Sequence, residues 1–206
     1  MSPIDDAIGL FDRALRAVAG VAASAEKFPA GNDAALTADE RRQVISMMRV
    51  NHAGEVCAQS LYLAQALAAR DPALREHFLR SAEEESAHLA WMRARLAELG
   101  GRRSLLDPLW FAGAAGIALA AAAAGDRVSL SFLHETEQQV GAHLDRHLRR
   151  LPDADRRSQA MLTRMRDDEL THSAAAKARG APDMPAPGRA AMRAAAGVMT
   201  GIAAYV

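Results

Sequence analysis

The sequence has a single cysteine in 206 residues, Cys57, so no disulfide can form within the chain and a disulfide-stapled scaffold is excluded. One unpaired thiol fits a reducing compartment. Aromatic residues are scarce at 4%, and basic and acidic residues balance at 25 each, so there is no electrostatic footprint for a nucleic acid. β-Branched residues are few and no stretch sustains strand alternation, which points to an all-α fold rich in Ala, Leu, Arg and Glu. The first residues carry Asp5 and Asp6 and lack both a basic run and a long apolar core, so no secretory signal is expected. The length suits one domain with its own core.

Against these absences stands a pattern that returns. Glu85-Ser86-Ala87-His88 and Glu169-Leu170-Thr171-His172 share a Glu-x-x-His spacing. Each follows a helical segment with one isolated glutamate: Glu55 lies 30 positions before Glu85, and Glu137 lies 32 before Glu169. Two helices each giving one Glu, and two each giving Glu-x-x-His, form the ligand inventory of a di-iron or di-manganese carboxylate site inside a four-helix bundle.

Local signals divide the chain. Ser2-Pro3 opens a first helix whose apolar residues Ile4, Ile8, Phe11, Leu15 and Val18 form one stripe, expected to pack on the bundle or else to meet a membrane or partner. Residues 28 to 33 read as linker. Thr37-Ala38-Asp39-Glu40 is a capping box for a long helix to about Arg70, and Asp71-Pro72 starts the next, stopped at Gly100-Gly101. Asp107-Pro108 starts a third segment, Gly125-Asp126 separates it from a fourth helix ending near Leu151-Pro152, and Asp153 opens a fifth that Gly180 closes. A short helix from about Gly188 ends the chain. The expected organisation is one domain over 1–206, with an N-terminal helix and linker (1–30), a metal-binding bundle (37–179) and a C-terminal segment (181–206).

Glutamate on an alanine-rich helix is ordinarily solvated, so each candidate must be placed on its helical face. At about 100° per residue, Glu55 shares a stripe with Val44, Met48 and Tyr62, and Glu85 falls amid Phe78, Ala82, Leu89, Met92 and Leu96. Glu137 interrupts Leu130, Leu133, Val140, Leu144, Leu148 and Leu151, while Glu169 lies with Leu162, Met165 and Ala176. The neighbours Glu83, Glu84, Asp167, Glu135 and Gln138 are expected to point away. A buried, unpaired carboxylate is so costly that it takes up a proton or finds a partner. Two divalent cations would neutralise four carboxylates held with neutral imidazoles, and oxygen and imidazole donors without thiolate suit iron or manganese better than structural zinc.

Asp168 and Glu84 each precede a candidate glutamate, and are expected either to orient the opposite helix's histidine or to stay as plain surface acids. His52 and His134 lie one turn before Glu55 and Glu137; they line the site or sit as core or rim histidines, the commoner outcome. His143 and His147 lie off the Glu137 direction, and His77 sits on a charged segment near a helix start. Cys57 is expected as an inert buried thiol. Tyr62 borders the cavity or simply packs. Residues 108–125 approach the ~20 needed to span a bilayer, but their Ala and Gly are only weakly apolar, so a buried or interfacial helix is expected. With the mildly apolar Met192, Ala196, Met199 and Tyr205, this stretch points to a surface that grips lipid or a lipophilic substrate without crossing the membrane.

The run Met48-Arg49-Val50-Asn51-His52-Ala53-Gly54-Glu55 resembles the first metal-ligand helix of demethoxyubiquinone hydroxylases. The resemblance continues through Glu85-Ser-Ala-His88-Leu89, Ser104-Leu-Leu-Asp-Pro-Leu-Trp110, Glu135-Thr-Glu137-Gln-Gln-Val-Gly-Ala-His143-Leu144 and Asp167-Asp168-Glu169-Leu-Thr-His172, covering the chain from about Thr37 onward. It implies a ferritin-like four-helix bundle and a peripheral enzyme on the cytoplasmic side of a bacterial inner membrane. Its reaction would hydroxylate the ring of 2-polyprenyl-3-methyl-6-methoxy-1,4-benzoquinol with O2, giving 3-demethylubiquinol, in the company of other ubiquinone-biosynthesis proteins. The resemblance also implies two iron ions as cofactor, with Glu55, Glu85, His88, Glu137, Glu169 and His172 as metal ligands and catalytic residues. One departure is Leu144, where some relatives carry tyrosine, so no role of that tyrosine transfers. The rival readings are a ferritin-like iron oxidation and storage protein, another di-iron hydroxylase such as one acting on a tRNA base, and a non-catalytic helical partner. The uncharged 108–125 stretch, the zero net charge and the six intact candidate ligands argue against them in turn.

Overall fold

The computed structural model describes residues 3–19, 28–29, 31 and 35–206, with backbone alone for 3–8, 10 and 11. It is an all-α, ferritin-like bundle: α1 (Pro3–Ala19), α2 (Ala38–Ala68), α3 (Pro72–Glu98), α4 (Asp107–Ala123), α5 (Asp126–Leu148), α6 (Arg156–Ala178) and α7 (Ala186–Ala203). Short turns make α2/α3 and α5/α6 antiparallel hairpins, and these two pairs form the four-helix bundle. The one long crossover, from α3 to α5, carries α4, which lies along α2. The cap proposed at Ser2 and most of the predicted linker fall outside the described residues. Where the linker is described, Phe28 lies under the Arg157 guanidinium, and a Cβ on Gly31 would meet the Arg157 Cα at 2.6 Å, so only glycine fits that approach.

The helix starts follow from their caps. The Thr37 hydroxyl accepts the Glu40 N–H while the Glu40 carboxylate accepts the Thr37 N–H, the reciprocal box that satisfies two orphan donors of α2. Asp71 accepts the Ala73 N–H ahead of Pro72. The turn before α5 needs Gly125, whose φ of 116° is open to few other residues. Two predicted starts are displaced. Asp155, not Asp153, caps α6, because its carboxylate reaches the Ser158 N–H at 2.9 Å. The last helix begins at Ala186 rather than Gly188, since Pro187 is tolerated in a first turn where no N–H partner is required.

Asp155 also pairs with the Arg95 guanidinium at 2.7 Å, and both side chains are buried. Without Asp155, Arg95 would keep Glu98 at 3.0 Å and the Ser158 hydroxyl at 2.9 Å, so the loss is that of one charged hydrogen bond and of the cap. Asp155→Ala should therefore lower unfolding stability by about 1.5–3 kcal/mol, the cost of a hydrogen bond to a charged group. Asp155→Asn, which keeps an oxygen for the cap, should cost less; urea titrations of the two variants would separate cap from charge.

Two apolar clusters fill the bundle. One, at the Met48 end of α2, joins Met92 and Leu96 to Leu144, Met161, Leu162 and Met165. The other joins Tyr62 to Phe78, Ala82, Leu130, Leu133 and Ala176. On each of the four helices the candidate glutamate lies between the residues given to these clusters. At α1 the predicted stripe is corrected: Leu15 is 55% exposed, whereas Ala17 is buried against Val56 and Leu89. The small alanine faces bring α1 close to the bundle, leaving the bulky Leu15 outward. Ile4, Ile8 and Phe11 lie outside the described side chains. On α4, one face packs on α2 through Ala118 and Ala122, while Leu109, Ile117 and Leu119 stay exposed. No helix among the described residues is long and apolar enough to cross a membrane.

Candidate metal centre

All six predicted side chains meet between the two apolar clusters, and each is at least 95% buried. Glu55, Glu85, His88 and Glu169 offer donor atoms within 4.8 Å of one another, as do Glu137, Glu169 and His172, so Glu169 belongs to both groups. His88 Nδ1 lies 3.4 Å from Glu55 Oε2, 3.4 Å from Glu85 Oε2 and 3.6 Å from Glu169 Oε1. His172 Nδ1 lies 3.5 Å from Glu85 Oε1 and 3.8 Å from Glu169 Oε2, which ties Glu85 to both halves as well.

Eight of these inward atoms have no hydrogen-bond partner: Glu55 Oε2, both oxygens of Glu85 and of Glu169, Glu137 Oε2, and Nδ1 of His88 and His172. Buried polar atoms are almost always paired, so eight orphans turned to one point could share a common partner such as a metal ion. Oxygen and imidazole donors at this spacing fit two hard or borderline cations; the lone thiol is elsewhere, with Cys57 Sγ 3.8 Å from the Trp110 carbonyl. Burial pushes that thiol up to about 12.

The protonation states agree. Burial, more than any neighbour, pushes Glu55 up to about 8 and holds Glu137 and Glu169 above the usual carboxylate range, with adjoining carboxylates adding to the effect. Burial would raise Glu85 too, but His88 and His172 outweigh it and hold it low. Burial disfavours the charged form of both histidines, and the surrounding acids overcome it and raise them. Four carboxyls this close cannot all ionise alone, and protons or cations must balance them.

The outer nitrogens of the histidines are held crosswise. His88 Nε2, on α3, lies 3.2 Å from Asp168 on α6, while His172 Nε2, on α6, lies 2.5 Å from Glu84 on α3. In neutral rings, the form that ligates a cation, these acids would hold the proton on Nε2 and leave the Nδ1 lone pair facing inward. Arg164 in turn grips both oxygens of Asp168, at 2.8 and 3.0 Å. The orienting alternative therefore holds for both acids, although Glu84 is largely exposed. Asp168→Asn and Glu84→Gln should each weaken metal affinity roughly 10–100-fold, read from competition with a chelator. Unchanged affinity would leave both as simple surface acids.

Tyr62 does more than pack: its hydroxyl donates to Glu137 Oε1 at 2.7 Å, and its ring meets His172 edge-on. His52 and His134 are outside the cage. His52 Nδ1 lies 3.4 Å from Asp107, and His134 Nδ1 lies 2.8 Å from the Ser173 hydroxyl. Asp107 lies within the first turn of α4, fully buried, rather than capping it. Glu135 does not point to solvent as predicted: it is 9% exposed and accepts a hydrogen bond from Gln139, which also reaches the Arg189 carbonyl in the first turn of α7. His77 is buried against Phe78 despite its charged sequence surroundings, and burial pushes it down to about 4. Leu144 is part of the apolar core. Sequence reading missed Asn51, whose Oδ1 meets His143 Nε2 at 3.2 Å and His147 Nδ1 at 2.8 Å. An amide between hydrophobic turns was the available signal.

Residues 42–203 match the family described as "Ubiquinone biosynthesis protein COQ7". The chain is 55% identical to the 3-demethoxyubiquinol 3-hydroxylase of Verminephrobacter eiseniae over the whole of both chains. It is 55% identical to the protein of that name from Cupriavidus necator, covering 98% of this chain and 99% of that one, and 50% identical to that of Chromobacterium violaceum, covering 96% and 97%.

Proposed function

The chain belongs to the family of the ubiquinone biosynthesis protein COQ7, and from that premise we propose that it is a di-iron monooxygenase. Its substrate is 2-polyprenyl-3-methyl-6-methoxy-1,4-benzoquinol, whose ring it hydroxylates to give 3-demethylubiquinol. The observation that carries the reading is the set of eight buried, unpartnered donor atoms turned toward one point. Glu55, Glu85, His88, Glu137, Glu169 and His172 hold two irons, which when bound supply the redox chemistry that O2 activation requires. One oxygen atom of O2 is inserted into a ring C–H bond, whose hydrogen ends on the new hydroxyl, and the other leaves as water, with two electrons and two protons drawn from a reductant.

The chain's own side chains set up this reaction. Asp168 and Glu84 keep the histidine protons on Nε2, so that neutral imidazole lone pairs face the cage. Tyr62 occupies one oxygen of Glu137 and leaves Oε2 free to ligate. The apolar clusters on either side exclude water, which protects the reacting centre from side reactions.

The chain works as a peripheral protein on the cytoplasmic face of the inner membrane, where a polyprenyl quinol is dissolved. Supporting this, Leu109, Ile117 and Leu119 of α4 and Val198 and Ile202 of α7 are exposed, and Trp110 and Met199 both pack against the cluster of Val50, Ala53 and Ala203. Each tail methylene moved from water to apolar surface contributes about 0.8 kcal/mol.

The test is anaerobic loading with Fe(II), then addition of O2, a reductant and the methoxy-quinol with a short tail, reading product mass. A gain of one oxygen atom, labelled when 18O2 is used, is expected. Iron oxidation with no oxygenated quinol would sink the proposal in favour of iron storage.

A further inference from the structure

A cavity of about 640 Å³ lies between α2, α5 and α7, one to two turns from the candidate metal centre and separate from it. Arg146, Arg149 and Arg150 line it, and no acidic residue does. None of the three has a carboxylate partner among the described residues; the sequence neighbour Asp145 is engaged by Arg166 at 3.2 Å. His143 and His147 form part of the wall with Asn51 holding both rings, and burial pushes them down to about 4 and about 3. They are neutral, so the cavity's charge comes from the arginines.

Cations in the last turn of a helix normally offset its dipole, and α5 ends here. That accounts for only about half a unit of negative charge, against three guanidiniums. The remaining charge of about +2.5, on exposed guanidiniums along one wall, gives a positive field that attracts an anion. We propose that this cavity binds a phosphate ester, gripped by Arg146, Arg149 and Arg150. A phosphate carries about −1.5 to −2 charges, which offsets most of that charge, and its oxygens suit the forked guanidinium. Met47, Val50 and Tyr205 also line the cavity, beside Ser46 and Thr200, and would meet the organic part of the ester. Gly201 lines the cavity on the α7 side, and a Cβ there would meet nothing within 4 Å, so a larger side chain can be introduced at that edge without a clash.

Two sources share this chemistry: a soluble phosphate ester and the headgroup of an anionic phospholipid. The iron-loaded full chain is titrated with glycerol 1-phosphate at constant ionic strength, and sedimented with vesicles of phosphatidylcholine alone or mixed with phosphatidylglycerol. Saturable binding of glycerol phosphate identifies a soluble ligand, and binding only to the phosphatidylglycerol vesicles identifies the headgroup; either supports the site. Each single Arg→Gln substitution should weaken binding roughly tenfold. Gly201→Leu fills the cavity without changing charge and should abolish binding of glycerol phosphate, or reduce vesicle binding to what Arg149→Gln leaves. The site is overturned if neither probe binds beyond chloride and phosphatidylcholine controls, or if the triple Arg146, Arg149 and Arg150→Gln variant binds unchanged. It is equally overturned if Gly201→Leu binds like the parent, which would mean a diffuse basic surface. Iron content and quinol hydroxylation are read on the same samples, so failure here is distinct from failure of the hydroxylase proposal.

Discussion

Glu169→Ala should strip both halves of the metal centre together, leaving well under one iron per chain and no measurable quinol hydroxylation. The reason is positional: Glu169 offers a donor to the group with Glu55, Glu85 and His88 and to the group with Glu137 and His172. Loss of an orienting acid costs roughly 10–100-fold in metal affinity, and loss of a shared ligand costs more, twice over. Glu55→Ala is the contrast, since Glu55 falls in one group only, and it should retain about one iron while still failing to hydroxylate. Glu169→Gln keeps the side-chain volume and separates loss of ligation from loss of packing. Folding of the metal-free variants should not suffer greatly, because burial already disfavours the ionised Glu169. Iron-to-chain ratios after desalting decide the matter. Two irons retained by Glu169→Ala would mean that the six side chains are not the ligands.

Metal binding should also stabilise the fold by a large margin. Without cations, four carboxyls and two imidazoles are buried with eight inward atoms unpartnered, and each such atom carries a desolvation penalty. A ligand present at 1,000 times its dissociation constant contributes about 4 kcal/mol per site, so two sites contribute about 8. For a chain of this length that corresponds to a rise in Tm of roughly 16–32 °C. Thermal unfolding with Fe(II) or Mn(II) under anaerobic conditions, reversed by a chelator, measures it. A shift of only a degree or two would show that the cage binds no cation tightly. The same shift should shrink in Asp168→Asn, whose loss leaves His88 free to turn its lone pair away.

The centre was legible in the sequence because period and spacing act within a helix. Glu55 sits in register with Val44, Met48 and Tyr62, and all of these are buried in the fold. The two Glu-x-x-His pairs present an acid and an imidazole one turn apart on one face, so both enter the core once that face does. The capping box at Thr37 was equally readable, since its partners are three residues apart.

What the sequence could not express is the position of one helix against another. Asp168 and Glu84 each serve the histidine of the opposite hairpin, a crossed pairing over 80 and 88 positions of chain that depends on the relative height of α3 and α6. Asn51 meeting His143 and His147, Asp107 drawn inside beside His52, and three arginines gathered around one cavity have the same origin. By itself the sequence determined the helices, their inward faces and the six side chains that those faces carry. The tertiary structure alone decided which of these atoms are neighbours, because helix offset and rotation are set by how bulky and small residues interlock between helices, and no periodicity along one chain records that.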